Sequence, residues 1–202
     1  MHYFLLALIF LISPILSANN DSDTLHQKLQ AMQTMSARFK QVVRAKKKVV
    51  SRSSGKMALS RPGKFRWHTT APMEQLVVAD SNKLWVYDVE LEQVTVKKQD
   101  KSVGGTAALF LSGHDDTLKN DFDVTLHQIG KKDVFDLVAK DDQASFSKVQ
   151  MVFQSGKLLQ LKLYDQLGQL TDVHMSRIKN NPKLAQKLFK FKPPKGVDVV
   201  KQ

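Results

Sequence analysis

Residues 61–98 read RPGKFRWHTTAPMEQLVVADSNKLWVYDVELEQVTVKK. Four short runs in this stretch are rich in β-branched and aromatic residues, near 64–70, 74–80, 83–89 and 93–98. Pro, Gly, Asn and Asp residues separate the runs, which is typical of antiparallel strands joined by tight turns. Both tryptophans of the chain fall here, together with Phe65 and Tyr87. We therefore predict a sheet with large apolar side chains, a surface suited to holding an apolar ligand.

The strand pattern continues on both sides of this stretch. From Ser36 onward, alternation through Ala37, Phe39 and Val43 predicts a strand, and another is predicted near 49–60. Five later runs predict strands near 121–129, 133–140, 146–154, 157–165 and 170–179. About eleven antiparallel strands are too many for one flat sheet, so we expect a mainly β domain that curls towards a barrel.

Three short helices are predicted among the strands. Ser22 or Asp23 can cap the first helix. Its apolar stripe consists of Leu25, Leu29 and Met32, and can continue to Met35. The apolar run 107–111, which follows two glycines, predicts a second helix, and 182–188 predicts a third. The second helix can cover a cavity or pack over one end of the core, and the sequence leaves both alternatives open.

The first eighteen residues differ from the rest of the chain. Nearly every residue from Tyr3 to Ile12 is apolar, and small residues lead up to Ala18. A helix needs about 20 apolar residues to cross a bilayer, and this run is shorter, so a retained membrane anchor is the weaker alternative. We predict that 1–18 is a secretory signal peptide and that 19–202 is a single exported domain.

The chain has no cysteine, although export would permit disulfides. We therefore expect the fold to depend on its sheet and core, and an apolar content of 42% is enough for such a core. The absence of cysteine also removes the acceptor for N-terminal lipidation. We accordingly predict that the protein is not itself a lipoprotein.

The net charge of +12 arises from 31 Lys and Arg residues against 19 Asp and Glu residues. Nucleic-acid-binding proteins concentrate such charge on a groove or a recognition helix. Here the cations are spread along the chain, with one dense cluster at 44–48 that contains Lys46, Lys47 and Lys48. This distribution disfavours nucleic acid and favours acidic partners or an anionic membrane surface. The role of the three lysines is not assigned by the sequence.

No motif in the sequence predicts catalysis. There is no nucleophile elbow, no phosphate-binding glycine loop and no closely spaced pair of histidines that could bind a metal ion. The six histidines are scattered over different predicted elements. We therefore expect no catalytic residue, no metal and no cofactor, and we predict that the protein is not an enzyme.

The aromatic residues are the best candidates for a binding surface. Period-two alternation places Phe65 and Trp67 on one face of their strand, and Trp85 and Tyr87 on one face of theirs. A long curled sheet with few helices must fill its concave face or enclose a hydrophobic cavity. The residues predicted to line such a cavity are Phe39, Phe65, Trp67, Trp85, Phe110 and Leu111. The alternative, an ordinary packed core, is compatible with the same pattern.

These residues resemble the LolA family of periplasmic outer-membrane lipoprotein carriers. The resemblance covers nearly the whole chain after the predicted signal peptide. It is densest in Arg61-Pro62-Gly63-Lys64-Phe65-Arg66-Trp67, followed by Leu84-Trp85-Val86-Tyr87-Asp88. The apolar run Ala108-Leu109-Phe110-Leu111 and the ending Phe191-Lys192-Pro193-Pro194-Lys195-Gly196-Val197 support it. As a set, the Arg-Pro corner with its Phe and Trp and the following Leu-Trp-Val-Tyr run is fairly specific.

The resemblance implies an unclosed antiparallel β-barrel whose apolar concavity is covered by a lid of short α-helices. Carriers of this family take acylated lipoproteins from an inner-membrane ABC transporter and pass them to an outer-membrane receptor. The family's arginine in the Arg-Pro corner holds the lid shut in the empty state, and it matches Arg61. The resemblance therefore implies a monomeric periplasmic carrier with Arg61 as its lid latch. A generic periplasmic lipid-binding protein of the same fold is the alternative.

Overall fold

The computed structural model describes residues 20–99, 107–112 and 115–202, so the predicted signal peptide lies outside it. Within these residues the helices are α1 (Asp21–Gln30), α2 (Ala107–Ser112) and α3 (Asp115–Asp121), and a 3-10 turn spans Gln186–Phe189. The strands are β1 (Thr34–Ala45), β2 (Lys48–Ser60), β3 (Lys64–Ala71), β4 (Gln75–Asp80), β5 (Lys83–Asp88), β6 (Gln93–Lys98), β7 (Phe122–Ile129), β8 (Lys132–Ala139), β9 (Phe146–Gln154), β10 (Lys157–Asp165), β11 (Leu170–Asn180) and β12 (Asp198–Lys201).

All of these strands belong to one sheet, in the order β12-β6-β5-β4-β3-β2-β1-β11-β10-β9-β8-β7. Neighbouring strands are antiparallel, except that β12 runs parallel to β6. Within the described residues the two outermost strands, β12 and β7, do not pair with each other, so the barrel is unclosed. The predicted fold class is confirmed, although the expectation of about eleven strands missed β12.

The β1–β2 and β2–β3 turns lie at the positions predicted from the sequence. Lys46 and Lys47 join β1 to β2 with φ values of 47° and 65°. Two successive positive φ values give the turn a twist that matches the adjacent antiparallel strands. The next turn is Arg61-Pro62-Gly63, in which the Arg61–Pro62 peptide is cis and Gly63 has a φ of 75°. Glycine adopts that value without steric cost, so this corner can be tight.

Helix α1 begins earlier and ends earlier than its pattern predicts. The side chain of Asn20 accepts a hydrogen bond from the backbone N–H of Ser22 at 3.2 Å and caps the helix. The predicted cap at Ser22 or Asp23 is wrong, because asparagine caps a helix as well as serine or aspartate does. Met32 and Met35, predicted to end the apolar stripe of the helix, are both buried, but Met32 lies in the connection between α1 and β1 and Met35 lies in β1.

One face of the sheet is concave and carries the hydrophobic core. The buried residues of the core alternate along most strands with residues of the opposite, outer face. Helix α1 packs against α3 and β7, and α2 packs against β2 and β3. The core therefore lies between the sheet and these short helices.

The C-terminal segment crosses the outer face of the sheet. The predicted helix at 182–188 is a single 3-10 turn at Gln186–Phe189, and its Phe189 is buried against β3 and β4. The chain then runs to the sheet edge, where β12 pairs with β6 from Asp198↔Gln93 to Lys201↔Val96. This pairing covers an edge strand that would otherwise offer unpaired backbone groups to another chain.

Candidate functional site

The corner between β2 and β3 holds Arg61 in a fixed position. The backbone N–H of Arg61 donates to the carbonyl of Gln33 at 2.9 Å, and the hydroxyl of Ser81 donates to the carbonyl of Pro62 at 3.0 Å. With the N–H of Arg61 and the carbonyl of Pro62 both hydrogen-bonded, Arg61 directs its guanidinium towards α2. Its Nη2 donates to the carbonyl oxygen of Leu111 at 2.7 Å, a short charge-assisted hydrogen bond.

Helix α2 connects the two halves of the curled sheet. On one side, the carbonyl of Leu111 accepts the hydrogen bond from Arg61 in the β2–β3 turn. On the other side, the ring of Phe110 meets Phe122 of β7 at 6.0 Å and Phe146 of β9 at 6.2 Å, both edge to face. The helix therefore bridges strands that lie far apart in the sheet order, as a lid across an open barrel would.

Sequence reasoning missed Phe122 and Phe146 as contacts of the lid. Each is the first residue of a strand, and each is buried in the core. The alternation within β7 and β9 could have assigned both residues to the inner face. It could not have shown that they meet Phe110, since that contact depends on how far the sheet curls.

Five of the six predicted cavity residues come together on the concave side. They are Phe39, Phe65, Trp67, Phe110 and Leu111, and all are buried in one contiguous hydrophobic cluster. Phe39 and Trp67 stack with ring centroids 4.1 Å apart and an angle of 28° between their planes. Their place in the core is an observation, whereas their role as an acyl-chain site stays a prediction.

The placement of Trp85 on the cavity wall is wrong. In β5 it is Leu84 that is buried in the core cluster, and Trp85 faces the opposite way. Trp85 pairs across the strands with Val78 and lies 6.4 Å from the ring of Phe191 on the outer face. Alternation shows which residues share a face but not which face is inside, and both residues are apolar.

The outer aromatic residues hold the C-terminal segment in place. Tyr87 also contacts Phe191, with ring centroids 5.9 Å apart. Nearby, Nη1 of Arg66 donates to the carbonyl of Leu188 at 3.5 Å. Burial lowers the pKa of Arg66 from its ordinary value because desolvation disfavours the charged form. The outer face of β3–β6 is therefore occupied by the protein's own tail.

Helix α1 closes the other half of the concave face. Asp21 accepts from the backbone N–H of Leu126 in β7 at 2.9 Å, and Asp23 pairs with Lys119 of α3 at 2.7 Å. The space remaining between α1, α3 and β7 is about 10 Å³, roughly enough for one water molecule. The Asp23–Lys119 pair is solvent-exposed, so it contributes little to holding α1 down.

The ionisable groups described by the structure are not arranged as a metal centre. Among these residues no three His, Asp or Glu side chains are grouped so that they could hold a metal ion. His68 pairs with Glu74 at 2.7 Å and His174 with Asp172 at 3.3 Å, and both histidines belong to the outer face. None of the described helices is long and apolar enough to cross a membrane.

Comparison with known proteins gives a consistent result. The family model "Outer membrane lipoprotein carrier protein LolA" matches residues 30–192. An outer-membrane lipoprotein carrier protein of Legionella pneumophila (strain Corby) is 56% identical over 202 residues, which is 100% of both chains. The protein of the same name from Dechloromonas aromatica (strain RCB) is 40% identical over 195 residues, 95% of this chain and 92% of that one.

Among solved structures, an uncharacterized conserved protein from Thermus thermophilus matches with a TM-score of 0.54. It covers 89% of this chain and 99% of its own at 13% identity, so this likeness shows the fold alone. The family model, which matches most of the chain, and the two sequence relatives, which are 56% and 40% identical over 100% and 95% of it, go further. The chain belongs to the LolA family of outer-membrane lipoprotein carrier proteins.

Proposed function

We propose that this protein is a periplasmic chaperone that carries acylated lipoproteins, with their acyl chains shielded on the concave face of the sheet. The observation that carries the proposal is the position of α2. Its Leu111 is bonded to Arg61 on one half of the barrel, while its Phe110 packs on the other half. Because α2 contacts both halves of the barrel, a single displacement of this helix would expose the apolar residues of the concave face, and its return would cover them.

The role is physically demanding because the cargo is so apolar. One acyl chain of about fifteen methylenes in water costs on the order of 12 kcal/mol relative to burial. The aromatic and aliphatic residues of the concave face can replace that water. In the closed form the same residues are buried against the helices, so the lid and the cargo compete for one surface. Such competition lowers the affinity for cargo and allows release without an external energy source.

Arg61 is assigned to the closed, empty state. Its hydrogen bond to the carbonyl of Leu111 forms only when α2 lies against the β2–β3 corner. A guanidinium has several donors in a rigid fork, which suits it to backbone carbonyls at the end of a short helix. The bond therefore favours the empty protein over the loaded one, and it assists release rather than uptake.

The same proposal includes the route of the cargo. Residues 1–18 direct export and are removed, and the remaining domain works as a monomer without a cofactor or a catalytic step. It receives lipoproteins from an inner-membrane ABC transporter and delivers them to an outer-membrane receptor. Family membership supports this route.

The direct test uses the chain without residues 1–18. Incubation with membranes that contain the transporter and a labelled lipoprotein is expected to release a soluble one-to-one complex. An otherwise identical incubation without ATP is the control for spontaneous release. A protein that binds palmitate but never recovers a lipoprotein would contradict the carrier proposal and favour the generic lipid-binding alternative.

The two tryptophans give a separate test of which face binds acyl chains. Trp67 is buried beside Phe39, whereas Trp85 lies beside Phe191 on the outer face. Palmitate is expected to shift the fluorescence emission of the Trp85→Phe protein, in which Trp67 is the sole reporter. The matched Trp67→Phe protein, reporting through Trp85, is expected to change little. A larger change from Trp85 would place the acyl chain under the C-terminal segment instead.

A further inference from the structure

The β1–β2 hairpin has an unusual charge distribution. Residues 34–60 contain eight Lys and Arg residues and no Asp or Glu. The eight are Arg38, Lys40, Arg44, Lys46, Lys47, Lys48, Arg52 and Lys56. The chain as a whole has a net charge of +12, so this one hairpin contributes most of it. Nothing in the carrier role described above requires this concentration.

The tip of the hairpin extends beyond its neighbour on one side. The pairing of β2 with β3 ends at Ser54↔Ala71, so residues 48–53 pair only with β1. Every residue from Lys46 to Arg52 is exposed. The tip (residues 44–52) therefore projects from the end of the sheet opposite the Arg61 corner, where it can reach a surface outside the molecule.

The charges on the hairpin are almost unbalanced within the protein. Among the residues that the structure describes, Arg44 alone of the eight forms a salt bridge, with Asp172 at 3.6 Å. Acidic residues do occur in or next to the turns at the same end of the sheet, including Glu74, Glu90, Glu92 and Asp165. Among the described residues none of these four forms a salt bridge with a hairpin cation. Like charges held together in this way repel, and an anionic partner would relieve the repulsion.

Apolar side chains at the same end distinguish between kinds of anionic partner. Val49 and Val50 are 40% and 58% exposed, and they stand between Lys48 and Arg52. Leu167, in the adjacent β10–β11 turn, is 95% exposed. Apolar residues flanked by long cationic side chains suit a bilayer surface, where valine enters the headgroup boundary and lysine reaches the phosphates. A protein surface made only of acidic groups would bind the lysines but would offer no apolar contact to the two valines.

We propose that the tip of the β1–β2 hairpin docks this protein on an anionic phospholipid surface. Phosphate headgroups would contact Lys46, Lys47, Lys48 and the neighbouring arginines, and Val49 and Val50 would enter the interface. Docking goes beyond the carrier function because it needs neither cargo nor transporter. It holds the protein reversibly at a leaflet, since a few cations and two valines bind far more weakly than a membrane-spanning helix.

The test is sedimentation of the chain without residues 1–18 with vesicles of equal parts phosphatidylglycerol and phosphatidylethanolamine. Binding is expected at low salt and is expected to fall at about 0.5 M salt, where charges are screened over a few ångströms. Vesicles of phosphatidylcholine alone are expected to bind little. The triple variant K46Q/K47Q/K48Q is expected to lose about tenfold or more in apparent affinity for the anionic vesicles.

The matched control is K131Q/K132Q/K157Q, which removes three exposed lysines from the opposite end of the sheet. It has the same net charge as the hairpin variant and is expected to bind nearly as well as the unmodified protein. The double variant V49S/V50S keeps the full charge and is expected to bind several-fold more weakly. If the two lysine variants lose equal affinity for anionic vesicles, net charge alone explains the binding, and the proposal is overturned.

Two further outcomes would also overturn it. The first is no binding to anionic vesicles at low salt. The second is normal vesicle binding by K46Q/K47Q/K48Q combined with poor uptake of lipoprotein from transporter membranes, which would make the hairpin a protein contact. Neither outcome bears on whether the protein carries lipoproteins, because the unmodified chain is tested for that separately.

Discussion

The Arg61→Leu protein is expected to take up a lipoprotein but to pass about tenfold less of it to a receptor in the same time. Nη2 of Arg61 donates to the carbonyl of Leu111 at 2.7 Å in the closed form. A hydrogen bond from a charged donor is worth about 1.5–3 kcal/mol, and 1.4 kcal/mol changes an equilibrium tenfold. Because the bond exists only when the lid is shut, its loss weakens the empty state and shifts the balance towards retained cargo. The measurement is the fraction of labelled lipoprotein transferred with time.

Two variants separate the hydrogen bond from other effects of the substitution. Arg61→Lys keeps the charge but loses the planar fork, and intermediate transfer is expected. Arg38→Leu changes an exposed arginine on the outer face of β1, and normal transfer is expected. Thermal denaturation checks that each protein folds. Unchanged transfer by a well-folded Arg61→Leu protein would show that this residue is not the latch.

Most of the fold could be predicted because antiparallel strands with short turns leave local signals. The run near 64–70 is observed as Lys64–Ala71, and the run near 93–98 as Gln93–Lys98. Most strands alternate in polarity and most turns contain residues that favour them, so these elements can be predicted from neighbouring residues alone. Because these signals are local, the strands of the sheet could be predicted without knowing how the sheet curves.

Strand β12 could not be predicted in this way. Its four residues, Asp198–Lys201, pair in parallel with β6, about a hundred residues earlier in the chain. A short exposed edge strand has no alternation strong enough to identify it, and a parallel partner leaves no turn between the two. The placement of Trp85 failed for a related reason, because its face is decided by the C-terminal segment that returns to cover it.

The candidate site was predicted unevenly for physical reasons. The core positions of Phe39, Phe65 and Trp67 could be predicted, because strand alternation and large apolar side chains both indicate burial. The hydrogen bond of Arg61 could not be predicted from the sequence pattern, since its acceptor is a backbone carbonyl that any residue at position 111 would supply. Its assignment depended on the family resemblance, and the structure adds the geometry that the resemblance lacked.

Gly55 in β2 is a further residue that the strand pattern did not reveal. At this point the pairing of β2 with β3 shifts from Ser54↔Ala71 to Gly55↔Thr69, which leaves Thr70 as the extra residue of a bulge. The carbonyl of His68 lies directly over Gly55, in the space where a Cβ atom would stand. Glycine in a strand interior often marks such a close approach of backbone, and this was the signal available in the sequence.

Gly55→Ala is therefore expected to destabilise the protein by about 3 kcal/mol, at the upper end of the usual cost of overpacking. For a domain of this size that corresponds to a fall in Tm of roughly 6–12 °C. The added Cβ would overlap the backbone carbonyl of His68 and would also lie 2.9 Å from Cζ of Phe39. Thermal denaturation followed by circular dichroism measures the change.

The matched control is Gly156→Ala, in the β9–β10 turn. There φ is +72° and a Cβ would meet nothing within 4 Å, so only the backbone strain of about 1 kcal/mol is expected. A second variant, Gly55→Ala with Phe39→Leu, removes the side-chain contact and leaves the backbone overlap. It is expected to stay unstable, because a carbonyl held in a sheet cannot move aside as a ring can. Full rescue by Phe39→Leu would assign the defect to the aromatic wall instead, and equal losses for both glycines would contradict the steric argument altogether.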